Sequence, residues 1–485
     1  MEQPQNIEQP RNPEFTAETS LPPHTGDKQP APSAAAPLES AVFARQPLFA
    51  SLRPVFTLAL PTIAVLVAQT AVNIAEAYYI GLLGIDALAG AALVFPLLML
   101  MTMMSNGGMG SGVASAIARA RGAGQHTKAN ELVFHTLLIA LALGAAFSAA
   151  VILGGPWMYA ALGGKDGSLQ SAILYSNYLF AGSITVWVVN LLAAALRGAG
   201  DARTPAKIIM IGALVTIPAS PALIFGFGPI PRLGIAGAGL AFALYYAAAA
   251  VVMLTLLGSG RSVLLLRPSR LQWRRFADIL KVGFPSAVGT GLTNLTVVLV
   301  TGAAAVFGTG ALAGYGIASR LDYLLIPLVF GWASAVLAIV GRHVGAGAGR
   351  LARRTALAST LAAFLAVECV GLLVAVAPWL WTGMFTDDAE VAAQAGEYLR
   401  IVGPFYGLMA VGMVASFAAQ GAGRPLLPFL GIVARLAVAA GGGVVAVRSF
   451  GVSFAGLCAF VSASLVTYAL VCAAAMALPR FWSKG

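Results

Sequence analysis

The chain has 485 residues, of which 59% are hydrophobic and only 10% are charged, and its formal net charge is +11. Soluble globular proteins carry about 25% charged residues, so this composition excludes an ordinary set of soluble domains. Apolar stretches of about 20 residues, long enough to cross a bilayer, recur along nearly the whole chain. Backbone groups in lipid must be bonded internally, and these runs are too long and too uniformly apolar for barrel strands. The sequence therefore predicts an all-α polytopic membrane protein.

In chain order, a polar, proline-rich segment comes first. Its composition cannot bury a core, so we predict a disordered cytoplasmic tail at 1–44. Twelve apolar segments follow, and a short cytoplasmic tail is expected at 479–485. We predict helices at roughly 52–80, 88–118, 130–155, 169–196, 204–228, 235–258, 278–305, 311–341, 355–382, 393–419, 426–448 and 452–478.

The longest connection lies at 259–277 and carries five arginines. We interpret it as a cytoplasmic linker and a hinge, which joins an N-terminal six-helix lobe at 45–258 to a C-terminal six-helix lobe at 278–478. The three cysteines are widely spaced inside apolar runs, so they indicate neither a disulfide framework nor a metal site. No resident cofactor or metal is expected.

Topology follows from the basic residues. With the N-terminus inside, 21 Lys and Arg residues fall in or beside the inner connections and 3 beside the outer ones. Cytoplasmic loops are enriched in Lys and Arg, so this split predicts that both termini lie in the cytoplasm. The same bias explains the net charge without a nucleic-acid partner.

The two halves of the chain resemble each other. Pro61 matches Pro285 at an offset of 224, and the Gly-Ala-Gly at 198–200 matches the one at 421–423 at an offset of 223. Such matches keep the same order along the twelve helices. Repeats with an even number of spans have the same orientation, so they are related by a pseudo-two-fold axis along the membrane normal, with a cleft between them. That architecture is typical of a transporter.

Three motifs resemble those of the multidrug and toxic compound extrusion (MATE) transporters. They are NIAEAYYIGLLG at 73–84 with DALA at 86–89, LRGAGDARTP at 196–205, and GIAGAGLA at 234–241. The resemblance covers roughly residues 50–478.

The resemblance implies a secondary active antiporter that exports organic, cationic and amphiphilic compounds in exchange for H⁺ or Na⁺ by alternating access. It also implies two six-helix lobes in a bacterial inner membrane. The expected partners are small organic molecules and the lipid bilayer, and the protein is expected to be a monomer.

Several positions depart from the family pattern. The family usually has Asp where this chain has Glu76, which keeps a carboxylate with one extra methylene. The family's Asn and Asp in helix five fall on Thr216 and Ser220, and an acidic position in helix seven falls near Thr293 and Asn294. The usual set of acids is therefore reduced, and the coupling ion stays open between H⁺ and Na⁺.

The candidate site starts from helix one. Gln69, Asn73 and Glu76 share one helix face, because residues four and seven apart lie on the same side. An ionisable residue at bilayer depth costs at least about 2.5–3.5 kcal/mol, so it normally faces the protein interior or water and is a functional candidate. We predict that this carboxylate exchanges a proton or sodium ion for the substrate.

Other polar residues complete an oxygen-lined cavity in the N-terminal lobe. Thr216 and Ser220 present hydroxyls on one face of helix five, and Asn190 matches a polar family position in helix four. Two alternatives stay open. Glu76 lies near the outer interface and snorkels while Asn73 bonds between helices, or the two hydroxyls bond to their own backbone.

The C-terminal lobe offers weaker candidates. Arg320 and Asp322 are predicted to form a local ion pair, and Glu368 is a candidate proton site in helix nine. Arg400 and Arg435 are expected to pair or to reach an interface instead of binding substrate.

Prolines and aromatic residues suggest gating and packing roles. Pro61 and Pro285 can bend helices one and seven, so we predict that they act in gating. Five aromatic residues can face an organic cation or simply pack: Tyr175, Tyr178, Trp187, Tyr245 and Tyr246.

Other function classes fit less well. The chain has only four histidines and no His-Glu-x-x-His motif, so nothing indicates an enzyme. No specific feature of the sequence supports a channel or a structural membrane protein. The main alternative is a lipid-linked saccharide flippase of the same broad superfamily, whose cleft is expected to carry several basic residues.

Overall fold

The chain beyond residue 51 is largely helical. The computed structural model describes residues 52–229, 231–478 and 481–482. The predicted tail at 1–44 lies outside the described residues, as does most of the predicted tail at 479–485. Phe481 and Trp482 are the exceptions, and both are buried against the helices.

Twelve helical units make up the described fold. They are α1 (Arg53–Gly81), α2 (Ile85–Gly122), α3 (His126–Ala161), α4 (Asp166–Ala181 and Ser183–Ala199), α5 (Arg203–Phe225), α6 (Ile235–Gly258), α7 (Trp273–Phe307), α8 (Thr309–Gly345), α9 (Gly349–Val376), α10 (Ala389–Gly421), α11 (Leu426–Phe450) and α12 (Phe454–Ala477). Within the described residues, eleven of them are long and apolar enough to cross a membrane, and the bent pair of α4 supplies a twelfth span. The predicted all-α, twelve-helix architecture is confirmed.

The fourth span differs from the single helix predicted at 169–196. It consists of two helices that meet at Gly182 with a bend of 48°. A Cβ atom at Gly182 would lie 2.8 Å from the Cβ of Ala243 on α6. Because only a glycine allows this close approach, the break occurs where α4 crosses α6.

The ninth span also ends earlier than predicted. Helix α9 stops at Val376 instead of residue 382, and Pro378 follows. Proline disfavours helical backbone in the residue before it, so the chain leaves the helix there. A separate turn, Trp379–Thr382, continues the segment, and the Trp381 indole N–H donates to the carbonyl of Ile317 on α8 at 3.0 Å.

The connection between the two halves packs on the protein. Helix α7 begins at Trp273, before the predicted residue 278. The backbone N–H of Leu265 donates to Asn130 Oδ1 at 3.0 Å, and that of Gln272 donates to His135 Nε2 at 3.1 Å. The linker therefore lies along α3.

The two halves meet through the first two helices of each. In the N-terminal half, α3 packs on α4 and α5 packs on α6; in the C-terminal half, α9 and α12 pack on α10. Between the halves, α1 and α2 pack against α8, and α2 also packs against α7. We call the two halves the N-lobe (α1–α6) and the C-lobe (α7–α12).

The lobes touch tightly at one end, where α2, α4, α8 and α10 terminate. We call it the basic end. There Arg119 of α2 donates to the carbonyl of Gly421 at 3.4 Å, and Arg342 of α8 donates to the carbonyl of Ala199 at 3.2 Å. The two arginines are equivalent in the repeat, and each reaches the C-terminus of a helix in the other lobe. Cations are favoured there, because the last carbonyls of a helix lack partners and carry partial negative charge.

Glycines make this approach possible. Gly200 and Gly423 have φ angles of +94° and +78°, which glycine adopts readily. A Cβ atom at Gly423 would lie 3.0 Å from Arg119 Nη1, and one at Gly200 would contact the Arg342 guanidinium. The repeated Gly-Ala-Gly therefore ends α4 and α10 and leaves space for an arginine of the other lobe.

Two ion pairs join the lobes at the same end. Arg275 Nη2 lies 2.7 Å from Glu131 Oε2, and Lys128 Nζ lies 2.7 Å from Asp278 Oδ2. Lys128 and Glu131 belong to α3 of the N-lobe, and the other two residues belong to α7 of the C-lobe. All four side chains are half-buried, so the pairs hold the ends of the two helices together.

Charge reversal at Glu131 should open the basic end. We expect Glu131→Arg to raise the rate of maleimide labelling at Ala118→Cys by about fivefold, since a lost half-buried pair is worth up to about 1 kcal/mol. Ala118 is fully buried at the lobe contact beside Gly341. The measurement uses a background in which the three native cysteines are replaced by serine.

The matched control restores the pair in reverse. Adding Arg275→Glu to Glu131→Arg should return the labelling rate to the starting value. An equally fast rate in the double variant would show that the pair does not hold the lobes together.

Candidate functional site

A cavity of about 370 Å³ lies between the lobes. Its walls come from α1, α2, α4, α5 and α6 on the N-lobe side and from α7, α8, α10, α11 and α12 on the C-lobe side. Ligand pockets for drug-sized molecules have volumes of roughly 300–1,000 Å³. The cavity is therefore large enough for a small organic molecule.

All six primary residues predicted from the sequence line this cavity. They are Gln69, Asn73, Glu76, Asn190, Thr216 and Ser220. They come from three different helices of the N-lobe, and no spacing in the sequence relates one helix to another. The fold brings them together because α1, α4 and α5 converge on the side that faces the C-lobe.

Glu76 provides the charge of the N-lobe wall. It is the one Asp or Glu among the described residues that line the cavity. Tyr175 of α4 donates its hydroxyl hydrogen to Glu76 Oε1 at 3.2 Å. The carboxyl group is thus held toward the protein interior, which is the opposite of the snorkelling orientation considered from the sequence.

The other residues of the α1 face contact aromatic side chains or the cavity. Gln69 Nε2 donates to the hydroxyl of Tyr246 at 3.3 Å. Tyr245 and Tyr246 lie edge to face, with ring centroids 4.6 Å apart, and both line the cavity with Asn73. This part of the wall therefore combines amide groups with aromatic rings.

Polar contacts fix the floor of the cavity near the basic end. Asn190 Nδ2 donates to Ser105 Oγ at 2.8 Å, and Arg197 Nη2 donates to Asn106 Oδ1 at 2.7 Å. Both acceptors lie in a π-helical turn of α2, Met104–Met109. Such turns are frequent at functional sites, and here the turn presents Asn106 to the cavity.

The helix-five hydroxyls differ from each other. Thr216 donates to the carbonyl of Gly212 at 2.8 Å, which is the local backbone bond considered as an alternative. Its oxygen can still accept a hydrogen bond. The Ser220 hydroxyl is buried and has no partner among the described residues. Ser220 is therefore the freer of the two to bind a ligand or ion.

On the C-lobe wall, α7 contributes hydroxyl and amide groups. Thr290, Thr293 and Asn294 line the cavity, and each donates to a carbonyl one turn earlier in α7. The two hydroxyl donors are satisfied within the helix, and the Asn294 amide also donates to Met103 Sδ on α2 at 3.7 Å. The side-chain oxygens of all three residues remain available as acceptors.

The predicted ion pair between Arg320 and Asp322 is wrong. The described residues contain no such pair within 4 Å. Residues two apart on a helix do not face each other: Arg320 is exposed and lies over the Phe385 ring at 5.2 Å. Asp322 points into the C-lobe instead, toward the Tyr406 hydroxyl and the charge of Arg435.

The remaining predicted residues lie outside the cavity lining. Glu368 accepts the backbone N–H of Gly407 at 2.7 Å. Pro61 and Pro285 are inside α1 and α7, where the missing N–H removes one backbone bond from each helix. Pro285 precedes Ser286, which lines the cavity.

Sequence reasoning missed the position of Arg435. It lines the cavity from α11, although it had been expected to pair or to reach an interface. The signal was present, because a cation inside an apolar helix is a functional candidate by default. The sequence does not show that the residue lies on the helix face directed at the cleft.

Comparison with known proteins agrees with this architecture. A family model described as MatE matches residues 61–222 and 285–445, one segment in each lobe and together more than half of the chain. The segments begin at Pro61 and Pro285, the pair that defines the internal repeat.

The relatives point to the same family. Over 383 residues the chain is 24% identical to a protein named FAD transporter from Shewanella oneidensis, covering 77% of this chain and 83% of that protein. It is 25% identical over 379 residues to a probable multidrug resistance protein NorM from Thermotoga maritima, covering 77% and 80%.

The fold is also shared with solved structures. A multidrug resistance MATE family transporter in an outward-facing conformation matches with a TM-score of 0.80 and 23% identity, covering 89% of this chain and 97% of that one. A MOP superfamily transporter from Pyrococcus furiosus matches with a TM-score of 0.79, 23% identity and coverage of 89% and 95%. The chain therefore belongs to the multidrug and toxic compound extrusion (MATE) family of membrane transporters.

Proposed function

We propose that this protein exports organic, cationic and amphiphilic compounds in exchange for H⁺ or Na⁺. The observation that carries the proposal is a single carboxylate, Glu76, in the wall of a largely apolar and aromatic cavity between two lobes. A carboxylate attracts a cationic substrate and also binds a proton or sodium ion. The two cannot be bound fully at once, and this competition couples their movements.

The rest of the lining supports an amphiphilic substrate. Aromatic rings attract organic cations through their faces, and Tyr245, Tyr246 and Phe242 line the cavity from α6, in the same lobe as Glu76. Methionine adapts to differently shaped ligands, and Met409 and Met413 line the opposite wall. Relatives carry names such as multidrug export protein, which agrees with a broad range of substrates.

Alternating access follows from the two-lobe arrangement. In the present state the basic end is closed by the arginine contacts and ion pairs between the lobes. We propose that the lobes rock about the pseudo-two-fold axis, so that a second state opens the basic end and admits substrate. After substrate has entered, the protein returns to the present state. There, protonation of Glu76 or binding of sodium releases the substrate.

The distribution of basic residues orients this cycle. We propose that the basic end faces the cytoplasm, that both termini are cytoplasmic, and that the protein acts as a monomer in a bacterial inner membrane. Under this topology the present state is closed toward the cytoplasm.

A lipid-linked saccharide flippase is the alternative suggested by the sequence. A flippase is expected to have several basic residues in its cleft, which bind the phosphates of the lipid-linked substrate. Among the described cavity-lining residues, Arg435 is the one Lys or Arg. The lining therefore supports export of amphiphilic compounds better than lipid flipping.

Replacing the carboxylate should uncouple transport. In proteoliposomes with ΔpH and ΔpNa imposed separately, we expect Glu76→Gln to lower gradient-driven ethidium transport by about tenfold or more, since a hydrogen bond or contact to a charge is worth about 1.5–3 kcal/mol. The gradient that drives the wild-type protein identifies the coupling ion.

Two variants serve as controls. Glu76→Asp keeps a carboxylate, as in most of the family, and should retain coupling. Glu368→Gln lies outside the cavity lining and should transport at the wild-type rate. Full transport by Glu76→Gln with an unchanged response to both gradients would remove Glu76 from the scheme.

Filling the cavity should block substrate binding. Thr290 lines the cavity from α7, whereas Val298 on the same helix is 65% exposed on the protein surface. We expect Thr290→Trp to weaken ethidium binding by about tenfold or more, because overpacking costs about 1–3 kcal/mol. Val298→Trp should leave the Kd unchanged. Equal Kd values in both variants, measured by fluorescence titration, would place the binding site elsewhere.

A further inference from the structure

Arg435 gives the cavity a second charged wall. It lies on α11 of the C-lobe, and its guanidinium carbon is 5.9 Å from the centre of the Tyr468 ring, which also lines the cavity. Glu76 occupies the N-lobe wall. Among the described residues that line the cavity, these two side chains are the ones with opposite formal charges, one on each lobe.

The guanidinium has unused hydrogen-bonding capacity. Its Nε is buried and has no partner among the described residues. The ion pairs found in the described part of the chain join α3 to α7, and none within 4 Å involves Arg435. Asp322 attracts Arg435 electrostatically, but it lacks a direct ion pair with it, and one of its own oxygens, Oδ1, is unpartnered. A buried donor without an acceptor is costly, so an incoming acceptor would be favoured.

The fold does not require a cation at this position. In the internal repeat, Arg435 corresponds to Gly212 of the N-lobe, and Glu76 corresponds to Val300 of the C-lobe. Both charges are therefore departures from the repeat. A residue that breaks the repeat, costs energy in the membrane and faces the cleft is best explained by ligand binding.

The backbone near Arg435 supports this role. A π-helical turn, Ala437–Gly442, begins two residues after Arg435 in α11. The described residues show one other π-helical turn, Met104–Met109, and it presents Asn106 to the same cavity. Such turns occur often at functional sites, because they change the direction in which nearby side chains point.

We propose that Arg435 binds the acidic group of the substrate, so that this transporter accepts aromatic compounds carrying a carboxylate or phosphate as well as organic cations. The guanidinium presents a planar fork of N–H donors that matches these oxyanions. The Tyr468 ring beside it and the Phe417 ring, which also lines the cavity, can pack on the aromatic part of such a compound. This inference rests on the proposed function, since it names a further substrate class of the same cavity.

The test compares two isosteric probes, naphthalene-2-carboxylate and naphthalene-2-carboxamide. Their Kd values are measured by isothermal titration calorimetry with the full-length protein in lipid nanodiscs. We expect the wild-type protein to bind the carboxylate about tenfold or more tightly than the carboxamide. Arg435→Gln should abolish this preference and change the Kd of the carboxamide less than about twofold.

Two further variants keep the proposal falsifiable. Arg435→Met preserves the packing of the side-chain stem on Tyr468 and should also lose the preference, whereas Arg435→Lys should retain part of it. Retained ethidium binding by each variant shows that the cavity is intact. A wild-type protein without preference for the carboxylate would overturn the proposal, and so would a preference that survives in Arg435→Gln or Arg435→Met.

Ethidium transport by the wild-type protein separates this inference from the function on which it rests. If ethidium is transported but the carboxylate is not preferred, the anion site is wrong and the export function stands. If the preference for the carboxylate depends on Arg435 but neither gradient drives ethidium, the export function is wrong and the anion site stands.

Discussion

The contact on which this structure depends is an arginine of one lobe placed at the end of a helix in the other. Arg119 reaches the carbonyl of Gly421, and Arg342 reaches that of Ala199. Each contact supplies a hydrogen-bond donor to a carbonyl at a helix C-terminus, where carbonyls lack partners within the helix, and both contacts cross between the lobes at the basic end. Because of the internal repeat, the same contact occurs twice, and its two copies close the basic end symmetrically.

The cavity exists because the lobes diverge above this closure. Helices α2 and α8 touch at the basic end, and residues farther from that end, such as Met99 and Tyr323, face the cleft. The symmetry that shapes the cleft does not extend to its charges. Glu76 and Arg435 have Val300 and Gly212 as their repeat equivalents, so the scaffold is symmetric and the chemistry is not.

Much of the fold followed from the sequence because hydrophobic length and repeat symmetry are strong constraints in a membrane. The α1 face with Glu76 could also be predicted, since helical periodicity places Gln69 and Asn73 beside it. Features that depend on contacts between helices could not be predicted from the sequence. The break at Gly182 depends on Ala243 of α6, and the groups toward which Asp322 points, Tyr406 and Arg435, lie on other helices. Arg435 was visible as an intramembrane cation, but its direction depends on how α11 packs.

The two charges have different consequences for coupling. With Glu76 ionised, the formal charges of Glu76 and Arg435 cancel in the lining, and protonation of Glu76 leaves the positive charge of the guanidinium. In the proposed export cycle that change repels a cation, so protonation of Glu76 is the step that we propose for release of a cationic substrate. The same change attracts an anion. Under the proposals above, release of an acidic substrate therefore depends on the C-lobe, where the carboxylate of Asp322 attracts Arg435 electrostatically.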